Sequence, residues 1–219
     1  MKNKKMLMIS TDYYGIERSI ARAFARNGFE PVFINARMDS LERLLSKFSR
    51  VFPKTKRICN PFIRAALQKE NRQYISKARI HSPAFAFIVK GDAVFPETLR
   101  YLRGELGIPC LSYQWDNPFP TYIGTAGGND YRDVNFRNSL NDYDHIFIFD
   151  DHYAEELREK GGKKVSYLPL AADDELFQHL DMSEDERAKW SFDVCFVGMP
   201  YDNRIEILNA LSGFHLGVF

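Results

Sequence analysis

Three stretches decide the fold: Ala84–Lys90 (AFAFIVK), Pro109–Trp115 (PCLSYQW) and His145–Asp150 (HIFIFD). Each is apolar over consecutive positions instead of alternating, the pattern of a strand covered on both faces. Between the first two, Pro96–Leu106 places Leu99, Leu102 and Leu106 on one stripe at helical spacing. Between the second and third, Phe136–Asn141 reads as a short helix. Buried strands alternating with helices predict a parallel sheet in an α/β fold, with helices on both faces. Right-handed crossovers follow, and they put ligands at the carboxyl ends of the strands.

The same reading extends outward. Lys5–Ser10 is a first buried strand, followed by a helix with Ile16, Ile20, Ala23 and Phe24 on one face, ended by Asn27-Gly28. Pro31–Asn35 is a strand, and Asp39–Phe48 and Pro61–Ile80 are helical, the latter with Asn60 as cap and Pro61 at its first position. Tyr153–Lys160 is a helix closed by Gly161-Gly162, and Val165–Leu170 a further strand. Ala171–Lys189 is polar and acid-rich, a linker with a helical turn or two. The alternation then restarts with strand Asp193–Val197, Gly198, Asp202 as a cap, a helix with Ile205, Leu208 and Leu211 on its face, and strand His215–Phe219. The expected organisation is a Rossmann-like domain over 1–170, a linker over 171–190 and the opening of a second Rossmann-like domain over 191–219. A strand–helix–strand piece cannot bury both faces of a sheet alone, so the expectation is that this second domain is truncated and the chain is a fragment.

The chain has 219 residues, 45% hydrophobic and 14% aromatic, enough for a real core. Thirty basic against 29 acidic residues leave a formal charge of +1, which supplies no global field for nucleic acid or an anionic membrane. Cys59, Cys110 and Cys195 stand far apart, without metal-ligand or redox spacing, as befits thiols in a reducing compartment. No apolar run approaches a membrane span of about 20 residues, and the run after the basic N-terminus is too short for a signal segment. A cytoplasmic location is expected.

The loops after strands are where ligands belong. Ser10–Gly15 (STDYYG) leads into the first helix, where Asp12 and Gly15 either meet an anion or a hydroxyl-rich partner or form an ordinary turn. It lacks the dinucleotide and P-loop patterns. Lys90-Gly91-Asp92 follows the third strand, Lys90 meeting a ligand or standing solvated. In Trp115-Asp116-Asn117-Pro118 a carboxylate ends a buried strand beside an aromatic. Asp116 there acts on or binds an acceptor hydroxyl, or else caps the loop through an Asx-turn. Gly124–Gly128 is a lid or a flexible loop. Asp142-Tyr143-Asp144 spells the D-x-D metal signature of one glycosyltransferase architecture, but it precedes a strand and belongs at the edge opposite the ligands. Asp150 or Asp151 suits the cap of the following helix, with His152 as a lesser ligand candidate. Gly198 and Arg204 bracket a helix start, where main-chain N–H groups and a guanidinium suit a diphosphate, or are a turn glycine and a surface arginine. No nucleophile triad or zinc site is visible.

Tyr143–Phe177 followed by Asp193–Arg204 (DVCFVGMPYDNR) resembles the CgeB-like family, spore-maturation-type proteins classed with glycosyltransferases of GT-B architecture. Its elements are the order strand–Asp–helix–Gly–strand, then LPLAAD, then the FVG…R restart; the earlier VKGD…PETL…GIPCLSYQWDNP matches the N-terminal half of such proteins. The resemblance implies two Rossmann-like domains, the first holding the acceptor and the second the nucleotide-sugar donor. Asp116 would then be the catalytic candidate; Asp12, Gly15, Lys90, Trp115 and Asn117 would bind acceptor, and Gly198 and Arg204 donor. The implied reaction moves a sugar from a nucleotide sugar to a hydroxyl with no cofactor and no obligatory metal; this chain, lacking most of the donor domain, would be inactive. Asp116 is a base if the reaction inverts and a binding residue if it retains. The rival readings are a non-catalytic GT-B-like module that binds a glycan or partner, and a flavodoxin- or receiver-like module. The faint receiver pairing of Asp12 with Lys90 is outweighed by the number of strands.

Overall fold

A computed structural model describes residues 4–10, 15–35, 56–119, 131–199 and 203–219. The expected helix at 39–48, the Asp202 cap, Asp12 and the Gly124–Gly128 loop lie outside the described residues. The chain divides into two units, Met1–Ala171 and Ala172–Phe219.

The first unit is built on β1 (Lys5–Ser10), β2 (Glu30–Asn35), β3 (Phe85–Val89), β4 (Cys110–Gln114), β5 (His145–Ile148) and β6 (Val165–Tyr167). All neighbours pair in parallel, in the order β2-β1-β3-β4-β5-β6. The connecting helices are α1 (Ile16–Arg26), α2 (Lys56–His81), α3 (Pro96–Gly104), α4 (Tyr131–Asn138) and α5 (Asp151–Glu159). The chain winds from β1 out to β2, then crosses back to β3 on β1's other side. The order therefore reverses between β1 and β3, the place where doubly wound sheets open a crevice. The α/β parallel sheet flanked by helices is as the apolar runs predict.

Period-two alternation sends each strand's side chains to two cores. Leu7, Ile9, Ala86, Ile88, Ile146 and Ile148 join Tyr74 and Ala78 of α2, Leu99 and Leu102 of α3, Phe136 of α4, and Ala154 and Leu157 of α5. Met6, Met8, Phe87, Val89 and Tyr113 face the other way, and of the described helices α1 alone supplies side chains to this second cluster, through Ile20, Ala21 and Phe24.

The ends of α1 and α5 follow one design. Gly28, at φ +80°, donates to Ala25 while Phe29 donates to Phe24, and the two rings meet edge-on at 5.8 Å. This is a Schellman closure, whose left-handed residue favours glycine. Gly161 and Gly162 repeat it on Arg158 and Leu157. Asp150 caps α5 by accepting from the His152 N–H at 2.9 Å, one of the two acids expected there.

Two helices depart from expectation. The α1 stripe is Glu17, Ile20, Ala21 and Phe24, because Glu17 is buried while Ile16 and Ala23 are exposed. Helix α2 starts at Lys56, so Pro61 lies inside it instead of opening it. A proline this near a helix start forfeits one early hydrogen bond, which the packing of Cys59, Ile63 and Leu67 on Ala93 and Phe95 offsets.

The D-x-D acids serve the amino edge of the sheet. Asp144 accepts two hydrogen bonds from Arg103, at 2.8 and 2.9 Å, and one from the Cys110 N–H at 2.8 Å, so it starts β4. Asp142 pairs with Arg100 at 3.2 Å.

In the second unit, Ser183 and Glu186 form a capping box on helix α6 (Glu184–Trp190). Strands β7 (Val194–Phe196) and β8 (Leu216–Val218) pair in parallel around α7 (Asn203–Ala210). Trp190, Phe192, His215 and Phe219 stack beside them, with ring centroids 4.9–5.5 Å apart. Among all described residues, no helix is long and apolar enough to cross a membrane.

Burial, with Asp144 nearby, pushes the Cys110 thiol up to about 12, and burial raises Tyr113 and Tyr143 as well. The unfolded chain releases these protons at their ordinary pH values near 9–10. Stability should therefore fall as pH rises from about 9 towards 12, by up to about 1.4 kcal/mol per pH unit from Cys110, with the two tyrosines acting in the same direction. Urea melts at pH 8 and 10 should show this, with a shallower fall for Cys110→Ala. In the native chain, Cys195 should react at once with a thiol reagent, whereas buried Cys59 and Cys110 should react only on unfolding.

Candidate functional site

The candidate site lies at the carboxyl ends of β3 and β4, next to the β1/β3 reversal. Chain geometry sets it up. Lys90 donates its N–H to the Tyr113 carbonyl at 2.9 Å, which ends the ladder, and the Gly91 N–H turns back to the Val89 carbonyl at 2.8 Å. Lys90 is thereby held at φ +65°, in the strained, positive-φ form of the γ-turn. Such an outlier in a lysine persists only where its surroundings over-determine it.

Three buried amides do so. Gln114, the last residue of β4, donates from Nε2 to the Lys90 carbonyl. Asn71 of α2 accepts from the Phe95 N–H at 2.9 Å and donates to the Ala93 carbonyl at 2.8 Å. Asn135 of α4 donates to the Asp92 carbonyl at 2.9 Å. Beneath them Tyr143 crosses the core until its hydroxyl rests against Gly91, where a Cβ would collide with it.

Lys90 is thus aimed at its neighbours. Its ammonium contacts the Asp116 carboxylate and lies 5.8 Å from the centre of the Trp115 ring. The Lys90 side chain is 18% exposed and that of Asp116 60%. Trp115 is half-buried and meets Tyr113 edge-on at 6.0 Å. The next residue, Asn117, accepts from the Phe119 N–H at 2.7 Å. The Asx-turn of this loop therefore belongs to Asn117, which leaves the Asp116 carboxylate to Lys90.

Of the other anticipated residues, Gly15 caps α1 at φ +80°, with its carbonyl accepting from Arg18 and Ser19. It follows β1, beside the β3 end that carries Lys90. Asp12 is not described. In the second unit Gly198 and Arg204 are close: a Cβ at Gly198 would lie 3.9 Å from Arg204 Nη1. The Gly198 N–H, however, donates to the Phe219 carbonyl at 2.9 Å, and Arg204 Nη1 donates to the Met199 carbonyl at 3.0 Å. His152 is exposed and packs against Tyr153. Gln114, Asn71, Asn135 and Tyr143 were not singled out from the sequence. An amide closing an apolar strand, as Gln114 closes CLSYQ, is the one signal that pointed to any of them.

No family model matches the sequence, and no curated protein matches it. The fold is similar to that of the plant UDP-glycosyltransferase UGT89C1 of Arabidopsis thaliana, solved in complex with quercetin, with a TM-score of 0.53 at 11% identity over 99% of this chain. The chain spans 65% of that structure's length. The likeness is one of fold, and it identifies the six-stranded sheet as resembling the Rossmann-like lobe of a GT-B glycosyltransferase.

Gly91→Ala should destabilise the chain by roughly 2–4 kcal/mol, combining positive φ with the collision against Tyr143. Adding Tyr143→Phe removes the colliding hydroxyl and should restore part of the loss in urea melts. Gln114→Leu should lower stability by about 1–3 kcal/mol, because it leaves the Lys90 carbonyl without its amide donor.

Proposed function

We propose that the first unit is the acceptor side of a GT-B-type sugar transfer, in which a sugar passes from a nucleotide-sugar donor to a hydroxyl. The supporting observation is the Lys90–Trp115–Asp116 corner, built on a pinned turn beside the strand-order reversal of a GT-B-like lobe. In this reading Asp116 meets the acceptor hydroxyl, Lys90 orients the carboxylate and Trp115 offers an apolar face. Gly15, Asp12 and Asn117 border the acceptor, while Gly198 and Arg204 belong to the donor side. The bond from the sugar's anomeric carbon to the donor phosphate breaks, the bond from that carbon to the acceptor oxygen forms, and the nucleoside diphosphate departs. Where Asp116 acts as base it receives the acceptor proton. No divalent metal is assigned a role, since the D-x-D carboxylates are committed to Arg100, Arg103 and the Cys110 N–H.

A second reading, a non-catalytic module that binds a glycan or a partner, is favoured by the self-engaged donor elements. The Gly198 N–H and Arg204 Nη1 already hold main-chain carbonyls.

On a protein that carries a full donor domain after these residues, calorimetry with UDP- and GDP-sugars, paired with a mass-spectrometric transfer assay on pooled hydroxyl acceptors, separates the two. Sugar transfer predicts saturable donor binding, weakened at least tenfold by Arg204→Ala, and turnover that survives EDTA. A loss of about 100-fold or more in turnover for Asp116→Asn identifies a base, while a raised acceptor KM alone identifies a binding group. Absence of both donor binding and transfer would overturn the enzymatic reading in favour of the binding module.

A further inference from the structure

We infer that the Lys90–Trp115–Asp116 corner recognises a neutral glycan through two adjacent hydroxyls, in preference to an anionic or a flat aromatic acceptor. The inference rests on the acceptor role proposed above and narrows its ligand class. Charge supports it first. Lys90 is neutralised by contact with Asp116, and Asp116 is tethered beside it, so an anionic ligand must displace a carboxylate present at high effective concentration.

Hydrogen-bonding chemistry supports it second. An ammonium touching a carboxylate sets a donor next to an acceptor, and a hydroxyl can play either part. Neighbouring ring hydroxyls therefore match the pair, one accepting from Lys90 and the other donating to Asp116. The half-buried indole of Trp115 lies alongside and suits the C–H face of a sugar ring. A flat aromatic ligand could cover the indole, but it would desolvate the ion pair without replacing its hydrogen bonds, an unfavourable exchange.

The test is a printed glycan array carrying neutral and acidic glycans, probed with the full 219-residue chain. The wild type should be retained by neutral glycans, and Trp115→Ala should lower that signal at least tenfold. Asp116→Asn, a change on an exposed side chain, should preserve the urea midpoint yet shift retention towards acidic glycans, because it leaves the Lys90 charge unbalanced. Retention led by acidic glycans, retention by no glycan, or an Asp116→Asn profile identical to wild type would overturn the inference. The array needs no donor, so glycan retention without nucleotide-sugar binding removes only the transfer reading. Transfer without neutral-glycan retention removes only the ligand class.

Discussion

A buried parallel sheet must satisfy every backbone group where its strands end, and that requirement shapes the functional edge of this protein. The segment after β3 cannot spread over the surface as loops usually do, because Gly91, Ala93, Val94 and Phe95 are themselves buried. Water is denied to their main-chain groups, so side chains must replace it. Gln114, Asn71 and Asn135 do so from three different elements, and together they fix the direction in which Lys90 leaves the sheet. The ion pair with Asp116 and the approach to Trp115 are consequences of this backbone accounting. A surface lysine free to choose its rotamer would not hold such a geometry.

Much of the architecture was legible because burial on both faces leaves continuous apolar runs. The residues of β1 match the predicted strand, and β3, β4 and β5 fall inside theirs. Asn27-Gly28 and Gly161-Gly162 likewise announced the ends of α1 and α5. What escaped reading was chemistry that resembles its opposite. Glu17 is a carboxylate on a buried stripe, so Ile16 and Ala23 were read onto the face that Glu17 and Ala21 share with Ile20 and Phe24. Pro61 looked like a helix start although tertiary packing carries α2 past it. In Asp142-Tyr143-Asp144 the two acids draw notice, yet the aromatic between them is the residue that reaches the functional turn.

The candidate site was legible in part for a similar reason. Lys90, Trp115 and Asp116 sit directly after apolar strands, where parallel topology puts ligands. The residues that hold them lie 19 to 53 positions away from Lys90 or carry amides, which look like ordinary surface polarity in a linear reading. The surroundings of Gly198 were hidden for a different reason. A glycine after a strand says that the backbone turns, but only the three-dimensional pairing with Phe219 says where its N–H is used.

The two tryptophans fall one to each unit, Trp115 at the end of β4 and Trp190 at the end of α6. Intrinsic emission from this chain therefore carries two independent optical signals, one from each unit. Replacing either indole by phenylalanine would let the remaining one follow the melting of its own unit, so that the cooperativity between the units becomes directly observable.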